Sequence, residues 1–217
     1  MTVYNQILNI MRTFFNLTLL LFVLNSCSSQ TLNTQFINSI STSVNKSITT
    51  DKKTQGKISI TYPVNLTTEF QKVINNYISE DFQLELCEGV DSSIQIRYEI
   101  KYNSDNILSV FKVIDYVFCD DRDYTEYNPF ILYISNGETY KVSINETPDI
   151  KAIIDDFIDV SNNDPSSQCN YTVEDINKYL LIDNKQVKLF LVKDSVFCFS
   201  ELNLILQEDM IKFEIVN

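Results

Sequence analysis

The sequence predicts an α+β fold in which two or three helices pack on an antiparallel sheet, as a single domain after a lipidated tether. Three observations support this prediction. Apolar and polar residues alternate, as in half-buried strands, in several segments beyond residue 57. Two other segments carry apolar residues at three- and four-residue spacings, which is the helical period. Asn136-Gly137 joins two of the strand patterns, and this pair is the strongest short hairpin signal.

The first half of the predicted domain contains a strand, a helix and a hairpin. Ile58, Ile60 and Tyr62 alternate with polar residues, so they predict a strand. The next helix presents one apolar face, made of Leu66, Phe70, Val73, Ile74, Tyr77 and Ile78. Alternation from Ile94 to Tyr102 predicts a half-buried strand. Residues 107–118 are apolar on both phases, which is typical of a central strand covered on two sides.

The second half of the predicted domain completes the order β-α-ββββ-α-α-βββ. Residues 130–135 and 138–144 form a hairpin around the Asn-Gly turn. Thr147 caps a second helix, whose buried face is Ile150, Ile153, Ile154, Phe157 and Ile158. Thr172 and Asp175 resemble a capping box and predict a short helix through Leu180. Three strands close the chain, at residues 187–192, 196–206 and 210–216.

The N-terminal segment has the pattern of a secretory signal. Residues 14–24 are apolar but shorter than the roughly 20 residues of a membrane-spanning helix, and Arg12 precedes them. Leu24-Asn25-Ser26-Cys27 then resembles a bacterial lipobox, which implies cleavage before Cys27 and lipidation of that cysteine. The alternative is an ordinary signal peptide followed by a chance cysteine. The lipoprotein interpretation places the protein on a membrane of the bacterial cell envelope.

The predicted boundaries follow from this signal. Residues 1–26 are the signal peptide, residues 27–56 are the lipidated cysteine and a polar tether, and residues 57–217 are one α+β domain. The tether is predicted because residues 28–56 are dominated by Ser, Thr, Asn and Gln, as in solvated linkers.

Charge and composition exclude several classes of function. The 17 basic and 29 acidic residues give a net charge of −12, so phosphate repulsion disfavours nucleic acid as a partner. The chain has no histidine, which excludes a Ser-His-Asp triad, a Cys-His dyad and a histidine metal site. We predict no catalytic residue, no metal and no cofactor. An acidic surface suits a basic protein partner instead.

Four cysteines beyond Cys27 are candidates for disulfides in an exported protein: Cys87, Cys119, Cys169 and Cys198. If Tyr102 faces Ile107 across the predicted turn, position 119 falls opposite position 90. Cys119 then lies a few residues from Cys87, which favours the pairs Cys87–Cys119 and Cys169–Cys198. The alternative is four free, buried thiols.

The densest acidic group lies between two predicted strands and gives the candidate binding residues: Asp120, Asp121, Asp123, Tyr124, Glu126 and Tyr127. Its carboxylates suit Ca²⁺, a catalytic pair for glycoside hydrolysis, or a solvated loop. The spacing and central glycine of an EF-hand are absent, so we favour the solvated loop. Two tyrosines among the charges are typical of a protein-binding surface, so residues 120–127 are the predicted contact.

Part of the chain resembles a known family. The segments Tyr98–Asn103, Asn106–Val110 and Phe130–Ile144 resemble a bacterial exported domain of poorly defined function. That domain occurs in lysozyme-sensing anti-sigma factors and beside peptidoglycan deacetylase domains, and the resemblance covers about residues 57–160. The family usually has a Gly-Ala-His-Gly stretch where this chain reads Cys119 to Tyr124. The resemblance implies an exported, non-catalytic, partner-binding module.

Three hypotheses on function follow from the sequence. The first is a lipid-anchored, non-catalytic binding module of the cell envelope, with a basic protein as partner. The second is a carboxylate-dependent hydrolase that acts on cell-wall glycan. The third is a structural envelope lipoprotein without a specific ligand.

Overall fold

The computed structural model describes residues 32–86, 92–119, 122–164, 169–193 and 198–216, apart from the side chains of Cys119, Arg122 and Phe199. The helices are α1 (32–42), α2 (Thr68–Asp81) and α3 (Pro148–Asn163). The strands are β1 (Thr49–Gln55), β2 (Ile58–Val64), β3 (Ser93–Asn103), β4 (Ile107–Cys119), β5 (Arg122–Ser135), β6 (Glu138–Ile144), β7 (Ile176–Asp183), β8 (Gln186–Lys193), β9 (Cys198–Asn203) and β10 (Ile211–Ile215). Short 3₁₀ turns, Val173–Asp175 and Glu208–Met210, precede β7 and β10. None of the described helices is long and apolar enough to cross a membrane.

The strands form two sheets, and this confirms the α+β class. The larger sheet has seven strands in the order β1-β2-β3-β4-β5-β6-β10, and the smaller has the order β7-β8-β9. All pairings are antiparallel except β2 with β3. The helix α2 makes the crossover between these two parallel strands, as such a connection requires. The sequence predicted one sheet only.

The larger sheet is covered on both faces. On one face α2 buries Phe70, Val73 and Ile74 against β2, β3, β4 and β5. On the other face a second cluster combines α1, α3, β10 and the smaller sheet. Successive residues of β4, such as Ile107 and Leu108, belong to different clusters and are fully buried. The prediction that β4 is a central strand covered on two sides is therefore confirmed.

Residues 32–55 are not the solvated tether that their composition predicts. Residues 32–42 are helical, and Phe36 in α1 is 0% exposed. Its ring contacts Tyr133 and Phe213 at centroid distances of 5.1 and 5.7 Å. The strand β1 then pairs along its whole length with β2. The prediction failed because a few apolar residues, four positions apart, are sufficient to bury one side of an otherwise polar helix.

The predicted helix at residues 172–180 is also wrong. Thr172 precedes a single 3₁₀ turn, and the chain continues as β7 from Ile176. Leu180, Leu181 and Ile182 are all buried in this strand and pair with β8. Three consecutive apolar residues fit a strand that is covered on both sides, and this pairing overrides the local capping signal.

The hairpin turns differ in how well the sequence predicted them. Asn136 and Gly137 both have positive φ, and Ser135 pairs with Glu138 as predicted for an Asn-Gly turn. In the hairpin of β3 and β4, however, Tyr102 pairs with Ser109, not with Ile107. The register prediction is wrong because the turn places Asn103 opposite Leu108, where the predicted register requires Asn106. The irregularity between Ile100 and Tyr102 then shifts the pairing by one further residue, toward the predicted register.

Candidate functional site

The described part of the predicted acidic contact is a strand, not a loop. Residues from Arg122 onward belong to β5, whereas Asp120 and Asp121 lie outside the described residues. Because side chains alternate along a strand, Tyr124 and Glu126 face one side of the sheet, and Tyr127 faces the other. The structure therefore does not bring the described candidate residues together on one surface.

Tyr124 and Glu126 pack beside Tyr116 on the face that α2 covers. The rings of Tyr116 and Tyr124 stack at a centroid distance of 4.4 Å and an angle of 12°. The Tyr116 hydroxyl is hydrogen-bonded to the Glu126 carboxylate. Burial raises the pKa of Tyr116 to about 12, and the charge of Glu126 adds to this effect. Burial likewise raises the pKa of Glu126, although the Tyr116 hydrogen bond and the Lys112 charge oppose it.

Next to these residues is a buried charge cluster, which we define as Asp81, Tyr98 and Lys112. Asp81, at the end of α2, is 4% exposed, and Tyr98 is 2% exposed. The Asp81 carboxylate accepts hydrogen bonds from the Tyr98 hydroxyl and from the Lys112 ammonium group. Lys112 also lies over the Tyr98 ring, 5.4 Å from its centroid. Burial and the neighbouring Asp81 charge raise the pKa of Tyr98.

The buried charge cluster is arranged to neutralise a carboxylate. Asp81 is matched by one cation and one hydroxyl donor, which compensates the cost of removing its charge from water. The exposures of Asp81 and Tyr98 are too small for a reactant to reach them. Sequence reasoning missed this cluster, although a lysine within the apolar stretch 107–118 was a signal for a buried ion pair.

Asp123 and Tyr127 have structural contacts of their own. The Phe118 N–H donates to Asp123 Oδ1 at 2.7 Å, and Phe118 has a positive φ of 53°. The Asp123 side chain therefore supports an unusual backbone conformation at the end of β4. Tyr127 lies between the sheets, with ring centroids 5.6 Å from Phe111 and 6.2 Å from Phe190. Of the described candidates, only Asp123 is exposed.

One predicted disulfide is confirmed. Cys169 and Cys198 are bonded, with their Cα atoms 5.5 Å apart, and the bond links the segment before β7 to β9. The predicted Cys87–Cys119 pair falls outside the described residues, because Cys87 and the side chain of Cys119 are not described. Cys27 also lies outside them, so its lipidation stays a prediction.

A group of exposed acidic residues lies on α3 and is called here the α3 acidic face. It consists of the exposed residues Asp149, Asp155, Asp156 and Asp159. The helix buries Ile150 and Ile154 on its opposite side. None of the four carboxylates forms a salt bridge with a described residue. Val160, 71% exposed, adds an apolar side chain beside these charges.

The acidic residues do not form a metal centre in the part of the chain that the structure describes, where no three His, Cys, Asp or Glu residues are grouped as such a site requires. No protein-family model matches the chain, and no curated protein matches it.

Proposed function

We propose that the chain is a lipid-anchored, non-catalytic binding module of the bacterial cell envelope, with a basic protein as its partner. The observation that supports this most is the α3 acidic face, where four exposed carboxylates form no salt bridge with a described residue and Val160 is exposed beside them. Asp155 and Asp159 lie one helical turn apart and repel each other. A basic partner would relieve this repulsion, and Val160 would supply apolar contact area.

Three further features support the proposal. The signal pattern that ends at Cys27 is that of an exported chain, and residues 57–160 resemble an exported domain of poorly defined function, which implies a partner-binding module. Of the candidates, Tyr124 packs against the core cluster beneath α2, and Glu126 is hydrogen-bonded to Tyr116. We also propose that residues 32–216 form one domain, because one core cluster contains residues of both sheets, α1 and α3.

The test compares three variants of equal charge change. One is Asp155→Asn with Asp156→Asn and Asp159→Asn on α3, and the second neutralises the predicted contact at Asp120, Asp121 and Asp123. The matched control carries Glu69→Gln, Glu80→Gln and Glu85→Gln, three exposed residues of α2 and its C-terminal flank. The partner is first captured from native envelope by the wild-type domain, and a cationic lysozyme serves as the defined probe.

We expect the α3 variant to associate with the captured partner at least fivefold more slowly than the control, with little change in dissociation, because exposed charges act mainly on encounter. Association of the wild type is expected to slow between low and physiological salt, where the Debye length falls to about 8 Å. Equal rates for the α3 variant and its control would contradict the α3 assignment. Hydrolysis of peptidoglycan, abolished by neutralising Asp120, Asp121 and Asp123, would make the chain a hydrolase instead.

A further inference from the structure

The link between the proposed lipid anchor and the fold is short. Position 27 is five residue steps from position 32, where the described part of α1 begins. Five fully extended residues span at most about 18 Å. Because α1 is packed into the core through Phe36 and Ile40, it cannot serve as extra tether. An anchored chain would therefore hold its domain against the lipid surface.

The N-terminal end of α1 identifies which part of the domain this is. The Asn33 side-chain amide donates to the Glu208 carbonyl, and the Thr34 hydroxyl donates to the Glu208 carboxylate at 2.6 Å. Glu208 lies three residues before β10, which is one edge of the seven-stranded sheet. The opposite edge, β1, is about 29 Å away at the usual spacing of neighbouring strands.

The β10 edge also carries a cleft of about 640 Å³, which we name the lysine cleft and which includes Lys141, Lys178, Lys212, Glu146 and Glu214. Lys178 is bonded to Glu146 at 2.7 Å. Lys141 and Lys212 are exposed, and neither forms a salt bridge with a described residue.

The lysine cleft is directly connected to the anchor end of α1. Asn145 lies in the cleft, and its side-chain amide donates to the Asp209 carbonyl at 2.7 Å. Asp209 adjoins Glu208, which holds Asn33 and Thr34. Within the cleft, Glu214 lies opposite Lys141 across the β6–β10 pair, whereas Lys212 lies opposite the uncharged Ser143.

We propose that the lysine cleft faces the membrane and binds the phosphate groups of the lipid headgroups in which the chain is anchored. This inference rests on the proposed lipidation of Cys27. Lysine ammonium groups bind phosphate as point charges. Lys141 on β6 and Lys212 on β10, which form no salt bridge with a described residue, lie at the end of the sheet that the short link brings to the lipid. A patch near a membrane also gains from the attraction of anionic lipids for Lys and Arg side chains.

The test measures lysine accessibility in the lipidated, full-length protein. The protein is reconstituted in vesicles of phosphatidylethanolamine and phosphatidylglycerol, and acetylation of each lysine is followed by quantitative peptide mass spectrometry. The Cys27→Ser protein in the same vesicle suspension is the reference. We expect Lys141 and Lys212 to be acetylated at least threefold more slowly in the anchored protein. Lys52 and Lys53, exposed on β1, are the internal control and should react at unchanged rates.

Each of the other outcomes identifies which part of the proposal is wrong. Equal acetylation of Lys141 and Lys212 in a protein that is nevertheless bound to vesicles would overturn the proposal. Absence of the wild type from the vesicles would overturn the lipidation of Cys27 instead. Equal protection in vesicles of uncharged galactolipid would show proximity without phosphate binding and would refute the phosphate ligand. Equal protection of the Cys27→Ser protein by inorganic phosphate would make the cleft a site for free phosphate and not for lipid.

Discussion

Lys112 is the one basic residue in the stretch of β4 that packs beneath α2. Its partners Asp81 and Tyr98 come from α2 and β3, so the buried charge cluster connects three elements that are adjacent in the fold. Two buried charges cost free energy to desolvate, and only their mutual attraction offsets that cost. The cluster therefore fixes how α2 sits on the sheet but adds little net stability.

We expect Lys112→Met to be strongly destabilising, because it leaves the Asp81 carboxylate buried without a cation. The loss is expected to be about 3 kcal/mol, at the lower end for a broken buried pair because the Tyr98 hydroxyl remains. Combining it with Asp81→Asn should recover at least half of that loss. Urea unfolding measures both values.

Lys101→Met is the matched control, because Lys101 is more exposed and its ammonium group pairs with Glu99 at 3.1 Å. We expect it to cost less than about 1 kcal/mol, as for surface pairs. A Lys112→Met variant as stable as this control would show that the cluster is not a buried ion pair in solution.

Glu126 gives a prediction for pH dependence. Its folded pKa is raised above 4.5 by burial, so the folded protein binds the proton more tightly than the unfolded chain does. The contribution of Glu126 to stability is therefore most favourable below pH 4.5 and is lost as pH rises through the folded pKa. The neutral isostere Glu126→Gln removes this loss.

Accordingly, the stability of Glu126→Gln relative to the wild type should be greater at pH 7 than at pH 4. Urea unfolding of both proteins across this range measures the difference, and subtraction removes the contribution of other acidic groups. A difference that is the same at both pH values, or that has the opposite sign, would contradict the raised pKa.

Among the elements, α1 differs most from what the sequence predicts, because a packed helix stands where a solvated tether was expected. It is joined to the sheet by aromatic contacts of Phe36 and by polar contacts along its length. Among the latter, the Tyr102 hydroxyl donates to the Ser43 carbonyl at 3.0 Å, just after the helix. A segment with this many contacts is part of the cooperative fold.

We predict that Phe36→Ala costs about 3–5 kcal/mol, as expected when a fully buried aromatic ring is replaced by a methyl group. Val44→Ala is the control, because Val44 is 74% exposed just beyond the same helix, and its cost should stay within about 0.5 kcal/mol. Thermal or urea unfolding distinguishes the two. If Phe36→Ala were as neutral as the control, residues 32–42 would be the tether that their composition suggests.

Elements with a strong local period were predictable from the sequence, and those defined by distant partners were not. The apolar face of α2, the Asn136-Gly137 turn and the alternation in β3 each follow from short-range geometry. For β7 the sequence predicts a helix, because the capping signal at Thr172 is local. The pairing with β8 that makes this segment a strand depends on residues further along the chain. The strands β7, β8 and β9 form a second sheet because they pack on the larger one, and no local sequence pattern predicts this packing.

In the candidate site, too, local signals were predictable from the sequence, and contacts between distant residues were not. Sequence reasoning found the acidic residues around position 120 but could not see that Tyr124 and Tyr127 face different sides of β5. Asp81 and Lys112 are 31 positions apart, so their contact depends on the register of β3 with β4 and on the placement of α2. The pair Cys169–Cys198 was predicted as the remainder of a register argument for Cys87 and Cys119, and the register that this argument used is wrong. The pair is correct although its argument is not, since four cysteines allow only three connectivities.

On the scale of the whole molecule, the chain combines a net charge of −12 with the lysine cleft at one end of the larger sheet. In the proposed arrangement the lysine cleft meets the lipid, and the α3 acidic face binds the basic partner. Both roles depend on whether Cys27 holds the chain on a membrane.

The most direct measurement of this central claim is fractionation of cells that express the full-length chain or Cys27→Ser. Several acyl chains anchor a protein stably, so the wild type should stay with the membranes through a high-salt wash. Cys27→Ser should move to the soluble fraction, with its Cys169–Cys198 disulfide intact as evidence of folding. A Cys27→Ser protein that remains membrane-bound after the wash, or a wild type that is soluble, would contradict the anchored module.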